Sequence, residues 1–127
     1  MPDETKRTIF IIDDDESVRK ALSRLLRAAG FQVEAYTSGE QFLERERFLG
    51  FGCILLDLQM PGLNGMLLQQ KLIRADYRLP IIFVTGHGDV SARTQAMQSG
   101  AVEFLAKPFD DRELLRAIEV AFQQERN

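Results

Sequence analysis

Four places in the chain carry residues whose types could do chemistry together: the acidic run Asp13-Asp14-Asp15, then Asp57, Thr85 and Lys107. Each stands at or just past the carboxyl end of a short apolar run, over residues 9–12, 53–56, 81–84 and 102–106 respectively. Brought to one edge of a parallel sheet, these runs would set carboxylates against a hydroxyl and an ammonium. Mg²⁺ typically takes one or two carboxylates with phosphate oxygens and keeps several waters. A carboxylate can also attack phosphorus, giving an aspartyl phosphate. Lys107 offers a compact positive charge to a phosphoryl oxygen or a carboxylate. Thr85 precedes Gly86-His87-Gly88, where a hydroxyl can follow a charge that appears nearby. Crowded carboxylates repel unless a divalent cation neutralises them, so the set points to a site for Mg²⁺ and a phosphoryl group.

Each residue alone has a plainer reading. Asp14 or Asp15 can cap a helix, Asp57 can be a turn aspartate, Lys107 a solvated lysine, and Thr85 a strand residue. A cap does not account for a second aspartate at the end of another apolar run. Asp15 is expected to point into the helix start, leaving Asp14 and Asp57 to matter most for metal.

The elements that must position these residues alternate between apolar runs and stretches of helical period, which argues for repeated βα units and a parallel sheet. Val18, Ala21, Leu22, Leu25, Leu26 and Ala29 form one stripe ending at Gly30. Ser38 with Gln41 reads as a capping box. A third helix starts near Asn64-Gly65, is expected to bury Leu67, Leu68 and Leu72, and ends before Leu79-Pro80. Asp89 can cap a fourth helix closing at Gly100, unusually polar around a narrow stripe of Val90, Thr94 and Met97. Asp110 with Glu113 opens a fifth, with Leu114, Leu115, Ile118, Ala121 and Phe122 on its face. Runs one, three and four are continuously apolar, as strands covered on both faces must be. Residues 31–36 alternate strictly, and residues 102–106 loosely, which suits edge strands. The expectation is a single α/β domain, a (βα)5 flavodoxin-like five-stranded parallel sheet of order 2-1-3-4-5 with helices on both faces. Its switch point then lies between strands one and three, beside Asp13, Asp14 and Asp57.

At 127 residues the chain suffices for one domain with a real core and is short for two. Nineteen acidic against 16 basic residues give a net charge of −3 with no Lys/Arg block, so direct nucleic-acid contact by this domain is not expected. Cys53, the single cysteine, excludes an internal disulfide framework and suits a buried small hydrophobe. No apolar stretch approaches the ~20 residues that span a bilayer, and residues 1–7 do not resemble a signal peptide. A cytoplasmic setting without membrane contact is the expectation.

Together, Ile-Ile-Asp-Asp-Asp-Glu (11–16), Leu-Asp-Leu-Gln-Met-Pro-Gly-Leu-Asn-Gly (56–65), Val-Thr-Gly-His-Gly-Asp (84–89) and Phe-Leu-Ala-Lys-Pro-Phe (104–109) resemble the receiver domain of bacterial two-component response regulators. The resemblance covers roughly residues 8–122, and the Thr-Gly-His-Gly-Asp stretch looks most like the FixJ-type branch. It implies that Asp57 accepts phosphate from the histidine of a sensor kinase. Mg²⁺ would lie among Asp13, Asp14, Asp57 and the backbone carbonyl of Gln59. Thr85 and Lys107 would contact the phosphoryl group, with Thr85 and the aromatic Phe104 as the switch. Gln59 and His87 would tune the lifetime of the acyl phosphate. The resemblance also makes Lys107-Pro108 a candidate cis peptide, a sharp turn aiming the lysine inward. Output is expected through the face of the fourth helix, fifth strand and fifth helix, where Phe104 and Val120 would offer apolar contacts to a phosphorylation-dependent homodimer.

Members of that branch usually carry a helix-turn-helix output domain and regulate transcription. The reading therefore takes residues 1–127 as receiver and residues 123–127 as the start of a linker to an output domain. Three alternatives stand beside it. One is a stand-alone receiver acting by protein interaction. Another is a small Mg²⁺-dependent phosphatase with an aspartyl nucleophile and Asp13/Asp15 as an Asp-x-Asp pair, which would lack a substrate cap. The third is a receiver-like module that never takes phosphate.

Overall fold

Continuous apolar runs survive as strands only where helices cover both of their faces, and the architecture follows from that need. The computed structural model describes residues 7–86 and 88–126. Along it run β1 (Thr8–Ile12), α1 (Glu16–Ala28), β2 (Gln32–Tyr36), α2 (Gly39–Glu44), β3 (Gly52–Leu56), α3 (Gly65–Arg74), β4 (Ile81–Thr85), α4 (Val90–Gln98), β5 (Glu103–Ala106) and α5 (Asp111–Arg126). The strands pair in parallel in the order β2-β1-β3-β4-β5, the flavodoxin-like order expected.

The sheet divides the core in two. On one face Phe10 and Ile12 of β1 pack with Phe42, Leu68, Leu72 and Ala96 from α2, α3 and α4. On the other, Ile9 and Ile11 meet Leu22 and Leu26 of α1 and Leu114 and Ile118 of α5. The period of two along one strand thus feeds two separate cores.

Short polar residues start the helices. Asp15 accepts from the amides of Ser17 and Val18, Ser38 from Gln41, Asn64 from Leu67 and Asp89 from Ala92. The Gln41 side chain reaches back to the Thr37 amide, 2.7 Å away, so the reciprocal bond lands one residue before the cap. Helices α1, α3 and α4 close the same way, each with a residue of positive φ and paired backward hydrogen bonds. Gly30 and Gly100 serve α1 and α4; α3 uses Asp76 (φ 55°), whose side chain tolerates the left-handed region better than most. The Lys107-Pro108 bond is cis, as expected.

Three packing expectations need correction. Leu67 is 52% exposed, because the turn of α3 that faces the sheet carries Leu68 and Leu72. On α4 the stripe of Val90, Thr94 and Met97 points to solvent, with Val90 83% exposed. That helix docks through the small residues Ala92 and Ala96 instead. Strand β2 does not alternate cleanly. Glu34 is only half-exposed because Arg45 forks onto both of its oxygens at 2.6 and 2.8 Å and the Tyr36 hydroxyl donates to it. The Arg45 hydrogen bonds hold the Glu34 carboxyl below its ordinary value. Burial, then Glu34, pushes the Tyr36 phenol up to about 12.

Candidate functional site

Asp13 and Asp57 are the first residues past β1 and β3, and the sheet's own hydrogen bonding carries on into them. The Asp57 amide donates to Ile12 O (3.0 Å) and the Asp13 amide to Tyr36 O (3.2 Å). Two neighbouring strand ends therefore deliver two carboxylates to the switch point, as the strand order requires. Asp13 and Asp57 are buried, Asp14 is exposed, and carboxylate oxygens of the three lie within 4.8 Å of one another. Hard oxygen donors so grouped suit Mg²⁺, which favours carboxylates over softer ligands.

Lys107 enters from the far side. Its Nζ lies 2.9 Å from Asp13 Oδ2 and 3.7 Å from Asp57 Oδ2. Its own amide donates to Thr85 O at 2.9 Å, so the ends of β4 and β5 are tied together. Thr85 is fully buried. Burial raises the Asp13 carboxyl above its ordinary value. Hydrogen bonds from Lys107 and the Asp15 amide pull the other way, and the Asp57 charge adds to the rise. The arrangement can bind a divalent cation, present a buried carboxylate to an electrophile and neutralise charge that develops on it.

The structure brings together Asp13, Asp14, Asp57 and Lys107, with Thr85 one strand over. Asp15 stays out of the cluster, since its Oδ1 caps α1 at 2.8 Å from the Ser17 amide. Gln59 is exposed at the mouth, its amide 3.4 Å from Asp57 Oδ1. His87 lies outside the described residues. Phe104, expected to offer surface contact, is only 7% exposed. Its ring lies against Phe83, centroids 5.7 Å apart, and under Gly88, where a Cβ would overlap ring carbons Cε1 and Cζ. Phe104 is therefore core in this structure.

Sequence reasoning passed over four contributors. A Cβ on Gly65 would strike the Asp57 carbonyl oxygen, and the Gly65 amide donates to Leu58 O at 2.9 Å. Glu40 accepts from the Leu63 amide (3.2 Å) and steadies the loop after Asp57 from α2. Gly88 makes room for Phe104. Arg19 donates from Nη1 to Asp13 O at 2.8 Å. Only the Asn64-Gly65 pair carried a local signal, as a helix start; the rest depend on contacts between distant segments.

Comparison with known proteins agrees with this geometry. The family model described as response regulator receiver domain matches residues 9–119. Nodulation protein W of Bradyrhizobium diazoefficiens is 42% identical over 122 residues, covering 96% of this chain and 54% of that protein. The transcriptional regulatory protein FixJ of the same organism is 43% identical, covering 94% and 58%. The chain thus spans about half the length of the curated relatives it matches. Among solved structures, FixJ-N superposes with a TM-score of 0.85 at 40% identity over 97% of this chain and 96% of that one. Response regulator StyR gives a TM-score of 0.88 at 47% identity over 94% and 61%. The motifs, the strand order, the clustered aspartates facing a lysine and the match over nearly the whole chain lead to one assignment: this chain belongs to the response regulator receiver domain family, in its FixJ-like branch.

Proposed function

We propose that Asp57 is the phosphoacceptor of a signalling switch driven by a sensor histidine kinase and serving transcription regulation. The placement of Lys107 Nζ, 2.9 Å from Asp13 and 3.7 Å from Asp57, carries this reading. An Asp57 oxygen bonds to phosphorus as the N–P bond of a phosphohistidine breaks, and the imidazole departs with the bonding pair and takes up a proton. Asp13, Asp14, Asp57 and the Gln59 carbonyl would hold Mg²⁺, which when bound would supply charge neutralisation for the transferring group. Lys107 neutralises a phosphoryl oxygen, and Thr85 turns its hydroxyl to another. Gln59, at the mouth, and His87 govern attack by water and hence the lifetime of the acyl phosphate.

The aspartyl phosphate adds charge beside Thr85. Thr85 moves toward it and Phe104 turns, remodelling the face of α4, β5 and α5. A two-fold homodimer through that face is the simplest way to use it. This domain makes no nucleic-acid contact itself, which fits its acidic balance. Among the described residues no helix is long and apolar enough to cross a membrane.

Incubation with acetyl phosphate and MgCl₂ tests the proposal. An acid-labile adduct that Asp57→Asn abolishes is expected. Turnover of added phosphomonoesters would favour the phosphatase, and no adduct would favour an inert binding module. In sedimentation, the phosphorylated chain should dimerise, and Phe104→Ala should become phosphorylated without dimerising. Undiminished dimerisation in that variant would leave Phe104 a packing residue only.

A further inference from the structure

We infer that Arg19 is a positioning residue for the metal site, acting through the main chain of Asp13 to aim Asp14. The inference rests on the metal reading above. Asp13 is almost wholly bonded. Its amide donates to Tyr36 O, its Oδ1 accepts from the Asp15 amide and its Oδ2 from Lys107 Nζ. Its carbonyl oxygen accepts from Arg19 Nη1 at 2.8 Å. That oxygen belongs to the peptide unit joining Asp13 to Asp14, and a planar peptide held at its oxygen is held as a whole.

Asp14 depends on that hold. Its carboxylate is the exposed member of the acidic cluster, and no hydrogen bond or ion pair fixes its side chain among the described residues. Its aim is set by the backbone on either side. After it, the Asp15 cap and the start of α1 fix the chain. Before it, the Arg19 guanidinium does. Arg19 stands one turn into α1, its amide bonded to Asp15 O at 3.0 Å, so the same helix that Asp15 caps sends a planar donor back to the strand end. The loop is closed at both ends by α1, and Asp14 sits between the closures.

Without the guanidinium the Asp13 carbonyl loses its donor, the peptide unit can rotate, and Asp14 spreads over several orientations. Metal affinity should fall while the fold persists, because the Asp13–Lys107 pair and both cores are untouched.

The test titrates MgCl₂ calorimetrically into the chain and into Arg19→Gln and Arg19→Met, at about 0.1 M and about 1 M KCl. Loss of one hydrogen bond from a charged donor corresponds to about a tenfold weaker affinity. That ratio to the parent chain should persist at high salt, where the Debye length is about 3 Å. Thermal melts should show a smaller Mg²⁺-induced rise in Tm for both variants. Tighter binding by the variants at about 0.1 M KCl that fades at about 1 M would mean that Arg19 acts only as a general charge repelling the cation, and unchanged affinity at both salts that it does nothing for the metal; either overturns the inference. Arg19→Met, which keeps the apolar stem, decides the matter if Arg19→Gln fails to fold. Absence of Mg²⁺ binding by the parent chain would instead overturn the metal reading, and the inference with it.

Discussion

Gly88→Ala should force Phe104 out of the core. A Cβ at residue 88 overlaps ring carbons Cε1 and Cζ of Phe104, and Thr85 Cγ2, 3.3 Å away, closes the other side. The nearest atoms to that Cβ are side-chain atoms, the ring carbons first, so the main conflict lies with the ring. Phe104 is 7% exposed, and driving such a side chain into water costs about 1.5–3 kcal/mol. The reduced freedom of the unfolded chain returns about 0.4–1 kcal/mol. The net loss should be about 1–2 kcal/mol. The sign reverses once the ring is absent: in a Phe104→Ala background, Gly88→Ala should be neutral or stabilise by about 0.4–1 kcal/mol. Urea unfolding of the parent, both single variants and the double variant, followed by circular dichroism, gives the coupling energy directly. Equal costs of Gly88→Ala with and without the ring would refute the reasoning, because the conflict would then lie with the backbone or Thr85.

Asp14→Ala should abolish tight Mg²⁺ binding and phosphorylation while leaving the unfolding midpoint unchanged or raised, since a like charge leaves the cluster; normal calorimetric affinity would reject its role. Gly65→Ala should destabilise the domain by about 1–3 kcal/mol, because the added Cβ meets backbone atoms of Asp57 and Leu58, which cannot swing away; urea unfolding measures it. Asp13→Asn should show a pH signature in the absence of Mg²⁺. The Asp13 carboxyl is raised in the fold, so its favourable contribution is complete below the ordinary value of 3.8 and is lost as pH rises through the raised one. The stability of the variant relative to the parent should therefore climb from about pH 4 toward neutrality, and a flat or falling difference would contradict the stated cause.

Much of this molecule was legible because its signals are local or periodic. Continuous against alternating apolar runs ordered the sheet, and Asp15, Ser38, Asn64 and Asp89 marked helix starts where they occur. Carboxylates, hydroxyl and ammonium at strand ends then had one place to converge. The contacts that refine the site were not legible. Arg19 on Asp13 O, Gly65 against the Asp57 carbonyl and Gly88 against Phe104 depend on the angle at which segments meet, which no composition records. Helix α4 misled for a related reason. Its larger apolar residues implied a buried stripe, yet a helix lying close to the sheet turns small residues inward, and Ala96 took that place.

The division of the core has a mechanical consequence. Strands β1 and β3 are wedged between two cores, with Ile9, Phe10, Ile11 and Ile12 of the first and Ile54, Leu55 and Leu56 of the second each 1% exposed or less. Displacing either would open apolar surface on both faces at once. Toward the β5 edge, α4 docks through the small residues Ala92 and Ala96, of which Ala96 is buried, and β5 is four residues long. Stiffness therefore falls off across the sheet from Asp13 and Asp57 toward α4. On the proposed switch, a push generated beside Thr85 would be taken up where least burial is lost, on the α4 side. Chemistry on the rigid side would then be expressed on the soft side, and by linkage whatever holds the soft side would bias the carboxylates by the same free energy.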